Sequence, residues 1–355
     1  MNHTWQIRGY REGDEKQILG LRSTVFGDVD PVRSRPSTWR WQFQDNPAGK
    51  AFFCLAEDKG AIVGQYAAIP TRFCVQGEEV LFAFSCDTMI HPGYRMQGMF
   101  SALANELYRS MESQHQITTV WGFPNDVSVP GFTKRAGWKI LTIFPLRLIP
   151  IRPLGMILSG LPLWRIGKQK DSFSKDAKTS VRIGQAALLE PIDYFDSRFD
   201  ELWERNRRIA PVMQVRDSRY LNWRYMAVPE FDYKAFAVWQ GESLSGYMVI
   251  RMMDLMGRCF GVLVDMFPLP IGDSRITNML IRFARDYCKS HGAEFLTCLL
   301  SAANSGFFKR AGLRKVPAGL NPKKWYFGCR HKDKDSALLG LVEHWYITYG
   351  DTDVV

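Results

Sequence analysis

The residues best suited to chemistry lie between a short apolar segment and the helical pattern that follows it. Residues 82–90 are apolar and short enough for a buried strand, and a helical pattern begins after Gly98. Between them lie Arg95, the backbone amides of residues 96–100 and the bare backbone of Gly98 itself. The first amides of a helix have no partner within the helix, and they attract anions. The segment therefore predicts a seat for a phosphate or diphosphate group.

The spacing of this segment resembles a known motif. It reads Ile90-x-Pro92-x-x-Arg95-x-x-Gly98 and resembles the acetyl-CoA loop of the GNAT superfamily of N-acetyltransferases. Residues 122–141 resemble the strand and helix that follow that loop in the family. The resemblance implies direct transfer from acetyl-CoA to an amine. The residues that it assigns to cofactor binding are Met89, Ile90, Arg95, Met96, Gln97, Gly98, Met99, Phe100 and Asn125.

Two positions depart from the family's pattern. Phe100 stands where the family usually has glycine or alanine, and it fits if only its amide is used. Thr133 stands where many members carry a tyrosine that protonates the departing thiolate. The resemblance therefore leaves the general acid unassigned, with Tyr94 and Tyr108 as the nearby phenols.

Asp87 is the predicted catalytic residue. The resemblance implies that a backbone N–H at Met89 or Ile90 polarises the thioester carbonyl, and the attacking amine must be neutral. A carboxyl group beside an apolar wall can act as a base near neutral pH, because burial raises carboxyl pKa values. Asp87 lies in the strand before the loop, so we predict it as the base. The alternatives are a structural or acceptor-binding role for Asp87, and His91 as the base.

The elements that must hold these residues follow from the hydrophobic pattern. Apolar segments separated by turn residues predict a meander of strands over 51–57, 61–73 and 80–90. Apolar residues recur every four positions and predict a helix over 99–113. Residues 1–150 are thus predicted to form an α/β unit of the acetyltransferase kind, with a mixed, mostly antiparallel sheet flanked by helices.

An ordered internal repeat predicts a second copy of this fold. The matches, in chain order, are Trp39-Arg40-Trp41 with Trp223-Arg224-Tyr225, Gly64 with Gly246, Asp87 with Asp265, and Lys134-Arg135-Ala136-Gly137 with Lys309-Arg310-Ala311-Gly312. The second copy has no Arg-x-x-Gly at the loop position and carries Asp273 there, so we predict one cofactor site per chain. The predicted parts are a GNAT domain at 1–150, a linker at 151–189, a degenerate GNAT-like domain at 190–330 and a tail at 331–355.

The amino-acid composition narrows the kinds of ligand and partner that we expect the protein to bind. The chain has 355 residues, 46% of them hydrophobic, and a formal net charge of +10, which suits an anionic partner of the CoA type. The positive residues are scattered, so nucleic acid is not expected. The seven cysteines contain no Cys-x-x-Cys pair, so no metal is expected. The sequence has no run of roughly 20 apolar residues and no signal-peptide segment at its start, so a cytoplasmic location is expected.

Residues 147–170 combine basic and apolar side chains. They predict either a loop packed over the domain junction or a peripheral contact with an anionic membrane surface.

Three functions remain open from the sequence. The first is an N-acetyltransferase acting on a primary amine of a small molecule, such as an amino sugar or a cell-surface polysaccharide precursor. The second is an aminoacyl-tRNA-dependent peptidyl transferase of the tandem-GNAT type, which would have less reason to keep the loop at 95–100. The third is a non-catalytic acyl-CoA-binding protein, which the threonine at position 133 favours.

Overall fold

The computed structural model describes residues 3–27, 31–151, 180–183, 187–255, 257–268, 274–301, 305–317, 324–332 and 337–353. The chain forms two compact units. Unit 1 comprises residues 1–144, 227–230 and 324–342, and unit 2 comprises residues 145–226, 231–323 and 343–355. Asp273 and most of the predicted linker and membrane-contact segments lie outside the described residues.

The strands alternate with helices along much of the chain. The strands are β1 (Gln6–Arg8), β2 (Phe52–Asp58), β3 (Ala61–Val75), β4 (Glu78–Ile90), β5 (Thr119–Gly122), β6 (Lys139–Phe144), β7 (Arg147–Pro150), β8 (Val181–Ile183), β9 (Ala187–Ile192), β10 (Val212–Gln214), β11 (Tyr233–Gln240), β12 (Ser243–Leu255), β13 (Arg258–Phe267), β14 (Phe295–Cys298), β15 (Arg314–Lys315), β16 (Trp325–His331) and β17 (Trp345–Tyr346). The α-helices are α1 (Glu15–Phe26), α2 (Pro36–Phe43), α3 (Met99–His115), α4 (Val129–Arg135), α5 (Ser197–Asn206), α6 (Ser218–Leu221), α7 (Ser274–Ser290) and α8 (Ser305–Arg310).

The predicted meander is confirmed. Strands β2, β3 and β4 pair antiparallel in sequence, and each hairpin closes through two residues with positive φ. Lys59 and Gly60 form the first turn, and Gln76 and Gly77 form the second. Positive φ at both central positions matches the right-handed twist of the flanking strands, which favours this register.

Helix α3 packs on the meander through the predicted apolar stripe. Leu103, Leu107 and Met111 are buried on one face of the helix, in the core that it shares with β2 and β3. The start of the helix reaches the sheet because Gly64 has no side chain, and a Cβ at Gly64 would overlap Met99 Sδ. This close approach fixes where the N-terminus of α3 lies relative to β4.

The strands of unit 1 lie in the order β1-β2-β3-β4-β5-β16-β6. Strand β16, from far along the chain, thus lies between β5 and β6 and pairs antiparallel with both. The strands of unit 2 lie in the order β15-β7-β14-β13-β12-β11-β9-β8, so β7 joins unit 2 directly after β6 has closed unit 1. The sheet of unit 1 therefore contains β16, which comes late in the sequence. The sheet of unit 2 contains β7, which directly follows β6 in the sequence.

Unit 2 repeats the element order of unit 1. The series β11-β12-β13-α7-β14-α8-β15 follows the same sequence of strand and helix as β2-β3-β4-α3-β5-α4-β6. The strand before the long helix pairs parallel with the strand after it in both units. The predicted fold class, two mostly antiparallel sheets flanked by helices, is confirmed. No helix in the described parts of the chain is long and apolar enough to cross a membrane.

A buried ionic cluster lies inside unit 2. Asp265 Oδ2 accepts hydrogen bonds from Tyr247 at 2.8 Å and Tyr225 at 3.0 Å, and it forms an ion pair with Arg216 at 3.3 Å. Arg216 also pairs with Asp351 at 2.7 Å. Burial raises the pKa of both tyrosine hydroxyls, so they keep their protons and donate. A buried charge is tolerated only when it is paired and hydrogen-bonded in this way.

Replacing Asp265 with alanine is expected to lower the free energy of unfolding by about 3–5 kcal/mol, because Arg216 then loses one of its buried counter-charges. Urea-induced unfolding followed by circular dichroism measures the loss. Asp286→Ala is the matched control, since Asp286 is an exposed residue whose loss should cost less than about 1 kcal/mol. Equal losses in the two variants would contradict the prediction.

Candidate functional site

The candidate site lies where β5 stops pairing with β4. Strand β5 pairs parallel with β4 only at Ala83–Val120 and Phe84–Trp121, and it ends at Gly122. Strand β4 continues to Ile90 and remains paired with β3 on its other side. The last residues of β4 therefore present an open edge where β5 has ended, and an open strand edge offers backbone groups to a ligand.

One amide on this open edge can be identified. The His91 N–H donates to the Val63 carbonyl oxygen at 2.9 Å. Amides along an antiparallel strand point alternately toward and away from the partner strand. The Ile90 N–H therefore points away from β3, toward the open edge. Of the two amides that the sequence offered for the thioester carbonyl, Ile90 has this direction and Met89 has the opposite one.

The loop after β4 leads directly into α3. Met96 and Gly98 have φ of 64° and 79°, in the left-handed region. The Ala102 N–H donates to the Gly98 carbonyl oxygen at 3.1 Å, and it is the first helical hydrogen bond of α3. The amides of residues 99–101 consequently have no helical partner, and no side chain caps them. Residues 95–98 are exposed, whereas Met99 is buried and Phe100 and Ser101 are half-buried.

The loop is held in place by its neighbours. The Tyr94 hydroxyl donates to Asp58 Oδ2 at 2.6 Å, and the Thr4 hydroxyl donates to the same oxygen at 3.0 Å. The Tyr94 hydrogen bond lowers the pKa of Asp58 and raises that of Tyr94 itself. The Gly93 N–H donates to His91 Nδ1 at 3.2 Å, so His91 supports the turn. The loop is thus shaped before any ligand binds.

Aromatic hydroxyls fill the space between the sheet and α3. The Tyr66 and Tyr108 hydroxyl oxygens are 2.7 Å apart. Ser85 donates to Tyr66 at 3.0 Å, and the Trp138 indole N–H donates to Tyr108 at 2.9 Å. Burial raises the pKa of Tyr66, and it raises that of Tyr108 to about 12. Both tyrosines therefore remain protonated at neutral pH.

Two predicted positions on the β5 side have local roles. The Thr133 hydroxyl donates to the Val129 carbonyl oxygen at 2.9 Å, within α4. Asn125 Oδ1 accepts from the Ser128 N–H at 2.9 Å and shapes the turn before α4. Its side-chain N–H₂ remains as a donor, because the oxygen makes that local bond.

Asp87 lies at a bulge in β4. The pairing register between β3 and β4 shifts beside it, and its φ is 44°, which is rare for a residue with a side chain. Asp87 Oδ1 forms an ion pair with Arg22 Nη1 at 2.6 Å, and Gln65 Nε2 donates to the Asp87 carbonyl oxygen at 2.9 Å. Arg22 and Gln65 were not among the predicted site residues, although both are polar residues in apolar segments.

The described residues contain no group of three or more histidine, cysteine, aspartate or glutamate side chains that could hold a metal ion. All seven cysteines are free, and six of them are buried. The polar groups described above are backbone amides, one ion-paired carboxylate and the hydroxyls of Tyr66 and Tyr108.

The sequence model of the acetyltransferase (GNAT) domain family matches residues 6–141. No curated protein sequence matches the chain significantly.

Three solved structures resemble the whole chain. A conserved protein of unknown function from Enterococcus faecalis V583, described as a probable N-acyltransferase, is 12% identical with a TM-score of 0.63, over 93% of this chain and 73% of that one. A GCN5-related N-acetyltransferase from Anabaena variabilis ATCC 29413 is 13% identical with a TM-score of 0.58, over 92% and 72%. The N-myristoyltransferase of Saccharomyces cerevisiae with bound myristoyl-CoA is 10% identical with a TM-score of 0.58, over 93% and 80%.

These likenesses show the fold of the whole chain. The matched region contains the open end of β4, the loop at residues 95–98 and the start of α3. Residues 6–141 thus match the GNAT acetyltransferase domain family, which the spacing of Pro92, Arg95 and Gly98 predicted.

Proposed function

We propose that the protein is an acyl-CoA-dependent N-acyltransferase that moves an acetyl group from acetyl-CoA to a primary amine of a small molecule. One observation carries the proposal, namely that the exposed loop at residues 95–98 leads from the unpaired end of β4 into three helix amides, those of residues 99–101, that have no helical partner. A diphosphate needs several convergent donors, and a thioester needs a slot that accepts a narrow extended arm. In our proposal, unit 1 supplies the donors at the start of α3 and the slot at the unpaired end of β4.

The loop holds the diphosphate of the donor. The amides of Met99, Phe100 and Ser101 and the positive end of α3 attract the phosphate oxygens. Arg95 adds a flexible positive charge, since its side chain is exposed. Gly98 supplies the left-handed turn and leaves room for the ligand, because no Cβ stands in front of the amides. Asn125 contacts the extended arm of the donor through its side-chain N–H₂.

The Ile90 N–H polarises the thioester carbonyl. The amine nitrogen attacks the carbonyl carbon, a C–N bond forms and the C–S bond breaks. The nitrogen loses a proton, and the departing sulfur gains one. A fixed backbone donor stabilises the oxygen's developing negative charge, and holding the two reactants together lowers the barrier further.

Aromatic packing favours a short acyl group. The rings of Phe100 and Phe132 are 5.3 Å apart between centroids, and Tyr66 lies 6.0 and 6.2 Å from them. We propose that these packed rings leave no room for a long acyl chain beside the start of α3. Acetyl is accordingly the donor group that we propose.

Asp87 receives the acceptor amine. Its ion pair with Arg22 stabilises the charged carboxylate, which attracts an ammonium group. The same carboxylate is then the nearest group to take the proton that the nitrogen must lose. The positive φ at Asp87 turns the chain at the bulge, only three residues before Ile90.

Changes in the loop are expected to weaken acetyl-CoA binding. Arg95→Ala should raise the dissociation constant about tenfold, because a charge-assisted contact is lost. Gly98→Val should raise it at least about tenfold, because the left-handed backbone is strained and the side chain covers the amides. Isothermal titration calorimetry with acetyl-CoA measures both effects.

Arg109→Ala is the matched control for Arg95→Ala. Arg109 is an exposed arginine on α3, paired with Glu106. Its removal should leave acetyl-CoA affinity within about twofold, since the Debye length of about 8 Å screens distant surface charges. Wild-type affinity in Arg95→Ala and Gly98→Val together would refute the diphosphate seat.

Replacing Asp87 with asparagine is expected to reduce kcat/KM for amine acceptors about 100-fold, because the charged carboxylate is removed. Its acetyl-CoA affinity should stay within about threefold, since the loop is unchanged. Thiol release from acetyl-CoA over a panel of primary amines measures the activity. Asp45→Asn removes an exposed carboxylate beside Arg40 and serves as the control. Full activity in Asp87→Asn would exclude Asp87 from the reaction.

A further inference from the structure

Three polar atoms around Asp87 lack partners. Arg22 Nε and Gln65 Oε1 are buried and have no hydrogen-bond partner in the described part of the chain. Gln65 is 0% exposed and Arg22 is 5% exposed. The Asp87 carboxylate uses only Oδ1 in its ion pair, which leaves Oδ2 available. Buried polar atoms are rarely left unsatisfied, because each costs about 1–3 kcal/mol.

The three residues that carry these atoms are linked through Asp87. Arg22 and Asp87 are joined by a hydrogen bond of 2.6 Å, and Gln65 is joined to the Asp87 main chain by one of 2.9 Å. They come from α1, β3 and the bulge of β4, so three separate elements meet here. The bulge lies three residues before Ile90, the amide proposed to hold the thioester carbonyl.

Unit 2 contains a matching aspartate whose two carboxylate oxygens both accept hydrogen bonds. Asp265 matches Asp87 in the internal repeat, and it too lies beside a register shift and pairs with an arginine. Its Oδ2 accepts from Tyr247, the residue after Gly246. The residue after the matching Gly64 is Gln65, which is too short to replace a tyrosine hydroxyl and bonds the main chain instead. The position that hydrogen-bonds the carboxylate in unit 2 therefore makes no bond to Asp87 Oδ2 in unit 1.

The three unpartnered atoms determine which chemical groups an acceptor molecule would need in order to bind them. Asp87 Oδ2 is an acceptor and suits an amine N–H. Arg22 Nε–H is a donor and Gln65 Oε1 is an acceptor, and a hydroxyl group can satisfy both at once, accepting from one and donating to the other. An acceptor molecule that carries a hydroxyl beside its amine therefore matches all three atoms.

We infer that Arg22, Gln65 and Asp87 form the acceptor-binding subsite and select a vicinal amino alcohol, the arrangement found in amino sugars. The amine binds Asp87 Oδ2, and the neighbouring hydroxyl binds Arg22 Nε–H and Gln65 Oε1. The inference rests on the proposed function and adds the acceptor class to it. A site built to bond a hydroxyl rejects an analogue that lacks it, because buried groups then stay unpaired.

A pair of acceptors that differ by one hydroxyl tests the inference. The probes are trans-2-aminocyclohexanol and cyclohexylamine, with thiol release from saturating acetyl-CoA as the readout. The wild-type protein should prefer the amino alcohol by about tenfold or more in kcat/KM. Gln65→Met removes the oxygen while keeping a similar volume, and it should reduce this ratio to about one.

Further variants keep the test independent of folding defects. Gln65→Tyr copies the filled position of unit 2 and should abolish turnover of the amino alcohol, while calorimetry still detects acetyl-CoA binding. Arg22→Lys keeps a positive charge for Asp87 but loses Nε–H, and it should lower the ratio as Gln65→Met does. Gln114→Met changes an exposed glutamine on α3 and should keep the wild-type ratio.

The outcomes separate the inference from the proposed function. Equal kcat/KM for the two amines in the wild-type protein would overturn the inference alone, and would indicate that ordered water satisfies the buried atoms. A preference that survives in both Gln65→Met and Arg22→Lys would overturn it as well. Protein that binds acetyl-CoA but releases no thiol with either amine would refute the proposed function together with the inference.

Discussion

Two residue pairs hold β5 beside β4, and the site exists because that pairing ends there. The pairs Ala83–Val120 and Phe84–Trp121 join the strands, after which β5 stops at Gly122. The rest of β4 keeps β3 on one side and faces an open edge on the other. The Ile90 amide points to this edge, and the loop at 95–98 turns into α3 just beyond it. Closing the gap by two more pairs would remove the slot that we propose for the thioester arm.

The bulge in β4 places a polar residue, Asp87, three residues before the end of the strand. Asp87 and Asp265 occupy matching places, and each is held by one arginine. In unit 2 two tyrosine hydroxyls donate to Asp265, and the cluster is part of the core. In unit 1 no tyrosine donates to Asp87, and Arg22 Nε and Gln65 Oε1 are buried without a partner among the described residues. The same backbone arrangement thus holds a packed ionic cluster in unit 2 and, as we propose, an acceptor-binding group in unit 1.

The sequence predicted the features that depend on local residues. Turn residues located both hairpins of the meander, the four-residue spacing located α3, and Arg95 and Gly98 located the loop. Each of these follows from a short stretch whose backbone preferences or periodicity decide the structure. The repeat likewise predicted two sheets of the same kind.

The features that depend on distant residues were not predictable in this way. Nothing local in β16 indicates that it lies between β5 and β6. The pair of Arg22 with Asp87 joins residues that are 65 positions apart, and its only signal is a basic residue on the apolar side of α1. Gln65 gives a similar signal, as a polar residue in a strand that is otherwise almost wholly apolar. Such signals mark a buried polar group but do not name its partner.

The position of β16 also bears on how the protein is made. A nascent chain that has left the ribosome up to residue 150 contains β5 and β6 but not the strand that lies between them. The sheet that carries the loop and the bulge can be completed only after synthesis has passed residue 331. Folding of unit 1 therefore depends on a segment that is made near the end of synthesis, and residues 1–150 alone lack an inner strand of their own sheet.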